Sequence, residues 1–298
     1  MTGQPDTPPT THLPALIRLL RVHHWIKSGF VAAPLFFTPS AMSLSTVQAV
    51  GLGVLLWSLL ASSIYILNDW KDRAADREHP LKKHRPLASG EVKASTAFTV
   101  MLLLMGGSLG VGYLLSPVFA LFMAAYAALN ISYCYVLKHI SIIDVICIAL
   151  GFVLRVLAGA ALIAVAPSAW IIILTGLLAL FLGFAKRRDD LIRKLGADHR
   201  AALDGYTRGF IDITLAITLG AALVSYLIFT TDAEVMARLG STNLFYTAPF
   251  VVYAMLRYLQ ITLVEERSGS PVLILLTDKP MLLSVLGWLL TFAGLIYL

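Results

Sequence analysis

The chain has 298 residues, is 58% hydrophobic and carries only 13% charged residues, with a net charge of +6. Soluble domains run near a quarter charged, at about 25%, so a large water-soluble core is excluded in favour of a membrane protein. The two cysteines, Cys134 and Cys147, lie in apolar segments and suggest neither a disulfide framework nor a CxxC metal site.

Residues 1–15, rich in Pro, Thr and Gln, read as a disordered tail. They lack a basic stretch followed by an apolar one, so no cleavable signal peptide is expected. Residues 16–298 then read as a single transmembrane domain. Nine apolar segments follow, near 25–42, 46–67, 94–115, 117–136, 143–165, 168–186, 208–231, 244–264 and 280–298. Most approach the roughly 20 residues that a spanning helix needs. The fold class is therefore all-α, an integral membrane bundle of nine transmembrane helices.

Charge sets the orientation. Of the 23 Lys and Arg residues, all but three fall at the N-terminal entry or in alternate connections. Arg238 sits on the opposite side, and Arg155 and Arg257 lie inside apolar segments. Basic connections stay in the cytoplasm, which places the N-terminus inside and the C-terminus outside. The two large basic loops follow the second and sixth segments, a spacing that hints at four-helix repeats plus a ninth helix. Both loops also carry acids, which orientation bias alone does not require. No pattern points to nucleic acid, because most aromatic residues lie in apolar segments rather than among the basic ones.

At the entry of the first segment, Arg21, His23, His24, Trp25 and Lys27 form a basic cluster suited either to interfacial anchoring or to a lipid phosphate. After the second segment comes Asn68-Asp69-Trp70-Lys71-Asp72-Arg73-Ala74-Ala75-Asp76-Arg77. Asp69, Asp72 and Asp76 stand at i, i+3 and i+7, one face of a helix, with Asn68 beside them. Like charges repel, so the pattern needs a counter-charge. A divalent cation supplies one, since Mg²⁺ takes one or two carboxylates and fills its other positions with water and phosphate oxygens. Lys71, Arg73, Arg77, Lys82, Lys83 and Arg85 surround the acids, so the stretch reads as a Mg–diphosphate site. The bland alternative is a solvated loop of local ion pairs. The following His79–Gly90 loop carries Lys82, Lys83 and Arg85 towards either a diphosphate or anionic lipid.

Further along, Tyr135, Lys138 and Asp144 border the fourth and fifth segments. Arg155 lies well inside the fifth, where an ionisable group normally faces a cavity or a partner. Lys186-Arg187-Arg188-Asp189-Asp190 ends the sixth segment, and Arg193, Lys194 and Arg200 extend its basic field. Glu265, Glu266, Asp278 and Lys279 of the last loop read either as lid residues or, in preference, as solvated.

The run NDWKDRAADREHP followed by KKHRPLASG resembles the NDxxDxxxD signature of the UbiA superfamily of intramembrane prenyltransferases. The resemblance covers nearly the whole chain from Arg18 onward and implies a UbiA-like bundle with large cytoplasmic loops after helices two and six. Within the superfamily, RVHHWIKSGFVAAPLFF, YCYVLKHISIIDVICIALGFVLRVLAGA and FAKRRDDL are most similar to the decaprenyl-phosphate phosphoribosyltransferase branch. Asp190 stands where that branch usually has Glu. The second DxxxD-type motif of the aromatic prenyltransferases is not reproduced by Asp189, Asp190 and Asp198.

The resemblance implies transfer of 5-phosphoribose from phosphoribosyl diphosphate to a polyprenyl phosphate at the cytoplasmic side of the inner membrane, in a cell-wall pathway. It implies Asp69, Asp72 and Asp76 as the catalytic and Mg²⁺-holding residues. Substrate contacts fall to Asn68, Lys27, Arg73, Lys82, Lys83, Arg85, Tyr135, Lys138, Arg155, Lys186, Arg187 and Asp190. The alternative reaction moves a prenyl group from its diphosphate to an aromatic or other acceptor. A transporter or lipid-binding protein is the reading from another class. The oligomeric state is not readable from the residues.

Overall fold

The computed structural model describes residues 14–78, 82–192 and 201–298. Described residues are helical or in connections, with no strand among them. Eight longer helices follow in order: α1 Leu44–Lys71, α2 Ala94–Leu115, α3 Pro117–Tyr135, α4 Ile143–Leu162, α5 Ala169–Ile192, α6 Arg208–Thr231, α7 Ala248–Leu263 and α8 Lys279–Tyr297. A hydrocarbon environment leaves no water for backbone groups, so each segment closes its hydrogen bonds within itself.

The helix starts are written locally. Ser43 and Thr46 form a reciprocal cap on α1, with the Ser43 hydroxyl accepting from the Thr46 amide at 3.2 Å. Ser116 precedes Pro117 at the start of α3 and accepts from the Phe119 amide at 3.3 Å. Thr207 and Asp278 cap α6 and α8 in the same manner. Pro at the first turn loses nothing there, because that amide has no partner in a helix.

Seven of these helices, α1 to α6 and α8, are long and apolar enough to cross a membrane among the described residues. Large apolar side chains such as Leu103, Leu114, Leu121, Ile217 and Leu290 stand exposed along them, as lipid-facing positions require. The two remaining segments of the expected nine take other forms. Residues 25–42 are broken into the 3-10 stretch Val22–Val31, the short helix Ala33–Phe36 and the 3-10 turn Pro39–Ala41. Two prolines, Pro34 and Pro39, withhold amide hydrogens in this stretch. The eighth segment forms α7, only 16 residues long, after the 3-10 turn Leu244–Thr247.

Contacts divide the chain into two units. Of the described residues, one takes those up to Leu35, within Ser43–Lys138 and within Leu154–Ala166; the other takes those within Phe36–Met42, His139–Val153 and Pro167–Leu298. In the first unit, α1 packs on α2 and α3. Trp57, Leu60, Phe119, Met123, Tyr126 and Ala158 form its core. In the second, α5 packs on α6, and α7 on α8 and α6. Phe181, Phe184, Ile211, Leu215, Tyr258 and Ile261 are central to that core. The expected tail falls outside the described residues up to residue 13.

One close approach in the first unit depends on a missing side chain. A Cβ at Gly159 would lie 1.9 Å from the Val31 carbonyl oxygen. Backbone cannot yield as a flexible side chain can. Gly159→Ala is expected to destabilise the protein by about 1–3 kcal/mol, read as a lower melting temperature in detergent, whereas Gly107→Ala, with open space at its Cβ, should leave it unchanged.

Candidate active site

The acidic stretch lies where α1 ends. The helix stops at Lys71, and Asp72 closes it with φ −83° and ψ 3°, its amide donating to the Asn68 carbonyl at 2.9 Å. A short helix, Arg73–Glu78, restarts at once. Asp69 and Asp76 are both buried, at 2% and 3% exposure. Buried carboxylates need cations and hydrogen bonds to stay charged. Arg85 supplies both: its Nη1 donates to Asp69 Oδ1 at 3.0 Å and to Asp76 Oδ2 at 2.7 Å. Arg21 adds a second guanidinium to Asp69 Oδ1 at 2.5 Å. Burial pushes the Asp76 carboxyl above the usual carboxylate range, against the pull of Arg85.

Asp72 belongs to a separate pair. Lys138 Nζ donates to its two oxygens at 2.7 and 2.9 Å. The three aspartates therefore do not gather as the i, i+3, i+7 spacing suggests. Among the described residues, no group of three His, Cys, Asp or Glu side chains converges to hold one ion. The reason is local: the backbone leaves helical geometry at Asp72, and each acid is drawn to the cation nearest it.

The donor set still fits a divalent ion of modest appetite. Asp69 and Asp76 point one oxygen each at the same nitrogen of Arg85, so two carboxylates already converge on one point of positive charge. Two carboxylates plus water and phosphate oxygens are what Mg²⁺ takes.

The other expected residues are dispersed around this pair. The Asn68 side-chain oxygen accepts from Cys134 Sγ at 3.5 Å. Tyr135 is exposed, with Lys71 Nζ 3.9 Å from its ring centroid. Arg73 and Lys82 are half-buried and Lys83 is exposed. Lys27 is half-buried in the 3-10 stretch. Arg155 is buried, and its Nη2 donates to the Tyr126 hydroxyl at 3.0 Å.

Lys186, Arg187 and Asp190 belong to the second unit. Lys186 is half-buried. Arg187, 1% exposed, turns inward: Nε donates to Asp144 Oδ2 at 2.5 Å and Nη1 to Asp190 Oδ2 at 3.1 Å. The Tyr206 hydroxyl donates to Asp144 Oδ1 at 2.7 Å and accepts from the Ile142 amide at 2.5 Å. Burial and the Asp144 carboxylate together push the Tyr206 hydroxyl well above its usual pKa. Arg188 pairs with Asp212 at 2.6 Å and donates to the Thr262 carbonyl at 2.7 Å. Arg193, Lys194 and Arg200, as well as His79 to Leu81, lie outside the described residues.

Sequence reasoning did not single out Trp57, Tyr126 or Tyr206. Each reads as an ordinary aromatic residue along the chain. The available signal was Arg155 for the first two, since a buried cation needs ring faces and hydroxyls around it.

Comparison with known proteins places the chain in a family and a fold. The family model described as the UbiA prenyltransferase family matches residues 28–276. The chain is 29% identical to the decaprenyl-phosphate phosphoribosyltransferase of Mycobacterium tuberculosis over 95% of each protein. It is 31% identical to the enzyme of that name from Mycolicibacterium smegmatis, covering 97% of this chain and 95% of the relative. Among solved structures, a UbiA homolog from Archaeoglobus fulgidus bound to DMAPP and Mg²⁺ superposes with a TM-score of 0.70. That pair is 21% identical and covers 95% of this chain and 99% of the other. With apolar helices of spanning length and a buried aspartate pair at the end of one of them, the chain is an integral membrane protein and belongs to the UbiA prenyltransferase family.

Proposed function

We propose that this protein transfers 5-phosphoribose from phosphoribosyl diphosphate to a polyprenyl phosphate and releases diphosphate, in a Mg²⁺-dependent reaction at the cytoplasmic side of the cell's inner membrane. The observation that carries the reading is the convergence of Asp69 and Asp76 on one nitrogen of Arg85, with Arg21 paired to Asp69 and Lys138 to Asp72. Relatives named for this activity, aligned over nearly their full length, support it.

Asp69 and Asp76 would hold the ion, which supplies Lewis-acid stabilisation of charge on a departing diphosphate. Arg85 and Arg21 are placed to exchange a carboxylate for a diphosphate oxygen, since guanidinium pairs with either in the same fork geometry. Lys138, held by Asp72, adds a cation on the neighbouring helix end. An oxygen of the lipid phosphate bonds to C1 of the ribose while the C1–diphosphate bond breaks, and the electron pair leaves with diphosphate. The lipid phosphate is already an anion, so no protein base has to take a proton. Burial of both carboxylates limits water at the site and so limits wasteful hydrolysis of the donor.

The test is direct. Purified protein with phosphoribosyl diphosphate, a polyprenyl phosphate and Mg²⁺ is expected to form phosphoribosyl lipid and diphosphate in equal amounts. Chelation with EDTA should stop both and added Mg²⁺ should restore them. Product formed instead from a prenyl diphosphate and an aromatic acceptor would replace this reading with the other reaction of the family.

A further inference from the structure

The basic entry of the chain is built onto α1 more closely than interfacial anchoring requires. The short helix Ala15–Leu20 ends at Arg21, whose φ of 51° and ψ of 49° lie in the left-handed region. That region suits glycine and costs a residue that carries a Cβ. Such a conformation persists where the surroundings over-determine it.

Ser62 of α1 does most of the holding. Its side chain is fully buried, donates to the Leu20 carbonyl at 2.8 Å and accepts from the Trp25 indole N–H at 3.0 Å. One hydroxyl thus bridges the residue before Arg21 and the residue four after it. Leu19 shares a buried cluster with Ile66 and Leu67 of α1 and with Leu87 and Val92 of the loop that carries Arg85. Arg18 pairs with Glu91 of that same loop.

The turn has a direction. Ser62, Tyr65 and Asp69 stand at i, i+3 and i+7 of α1, along one face of the helix. The Arg21 guanidinium carbon lies 5.2 Å from the Tyr65 ring centroid, and Nη2 donates to Asp69 Oδ1. The side chain therefore runs along that face from the anchor, over the ring, to the acid. A guanidinium has five N–H donors, and the same position beside Asp69 serves a phosphate oxygen as well as a carboxylate. Glycine would make the same turn at lower cost but would bring no charge to Asp69.

We propose that Ser62 is a positioning residue for the diphosphate: with the Trp25 indole it locks the Arg21 turn, so that the Arg21 guanidinium meets a diphosphate oxygen at Asp69. This deepens the reaction proposed above and rests on one part of that reading, that a diphosphate is handled at the aspartate pair. Ser62 itself touches no substrate; it acts through Arg21.

The experiment is equilibrium binding of inorganic diphosphate, in Mg²⁺, to the purified full chain in detergent. Arg21→Gln is expected to weaken binding by about 10- to 100-fold, the worth of a hydrogen bond to a charged group. Ser62→Ala is expected to weaken it by about tenfold. In the double variant Ser62→Ala/Arg21→Gln, the loss should match that of Arg21→Gln alone, because a residue that acts through another adds nothing once the other is gone. Trp25→Phe, which keeps an aromatic ring but loses the indole N–H, should show a smaller loss and the same non-additivity. Ser58→Ala, which removes a hydroxyl that donates to the Val54 carbonyl of the same helix, should bind diphosphate as the wild type does.

Wild-type affinity in folded Ser62→Ala protein would overturn the assignment. So would an equal loss from Ser62→Ala with and without Arg21, since the hydroxyl would then act on the fold at large. If Ser62→Ala does not fold, the cycle with Trp25→Phe decides on the same terms. Failure of the proposed reaction reads differently: the wild type would make no phosphoribosyl lipid, yet diphosphate binding would still depend on Ser62 through Arg21.

Discussion

Asp69→Asn should lower turnover by about a thousandfold or more, the scale expected when a preorganised charge at the reacting centre is lost. Asp69 is the best-connected acid of the stretch: its Oδ1 is shared by Arg21 and Arg85, and it is nearly inaccessible to water. Asn keeps the size and one hydrogen-bond acceptor but removes the charge. The variant then offers a divalent ion one carboxylate where two converged, and it leaves two guanidinium groups repelling one another. The measurement is the rate of diphosphate release across a Mg²⁺ titration, alongside a melting curve.

Loss of turnover with an unchanged melting temperature assigns the residue to chemistry. Full activity would remove Asp69 from the site. Asp76→Asn should behave similarly, because the same Arg85 nitrogen bridges the two acids. Asp72→Asn asks a different question. A loss as large as that of Asp69→Asn would mean that Asp72 leaves Lys138 to join the ion during the reaction. A small loss would mean that it serves mainly to hold Lys138 in place.

The second large effect concerns stability. Asp144→Asn and Arg187→Gln are each expected to cost about 3–5 kcal/mol, because either change leaves a buried charge without its partner. Both side chains are 1% exposed and meet at 2.5 Å, so solvent screens the pair very little. Asp144 also accepts from Tyr206, whose oxygen accepts from the Ile142 amide. The carboxylate therefore ties α5 to the connection before α6 and to the start of α4. Ser141, whose hydroxyl donates to the Ala202 carbonyl at 2.7 Å, adds a parallel tie.

The check is thermal unfolding in detergent of both single variants and the double variant Asp144→Asn/Arg187→Gln. Since the double variant removes both members of the buried pair together, its cost should be well below the sum of the two singles. Strict additivity would show that the two side chains are not coupled.

These two expectations differ in how much of their basis the chain displays in order. The resemblance carried by NDWKDRAADREHP, and the basic residues around it, mark Asp69 and Asp76 before any fold is known. The Asp144–Arg187 pair is invisible there, because its members are 43 residues apart and each sits among other charges. Read alone, Arg187 belongs with Lys186 and Arg188 in a basic field open to phosphate. It turns inward because helix rotation at that end of α5 points it at Asp144 and Asp190.

The amino-acid order by itself determined the membrane class, the long apolar helices and the family. Each of these depends on composition and on neighbours within a few residues. Only the tertiary structure decided which cation meets which acid, that Asp72 departs from the other two aspartates, and that Arg155 lies against Trp57 and Tyr126. It also decided the form of the first and eighth segments, where prolines and a short helix replace the continuous spans that hydropathy suggests. The physical reason is common to all of these. In a bilayer nearly every face of a helix is apolar, so periodicity says little about rotation. The pairing of buried charges depends on that rotation and on partners brought together from distant parts of the chain.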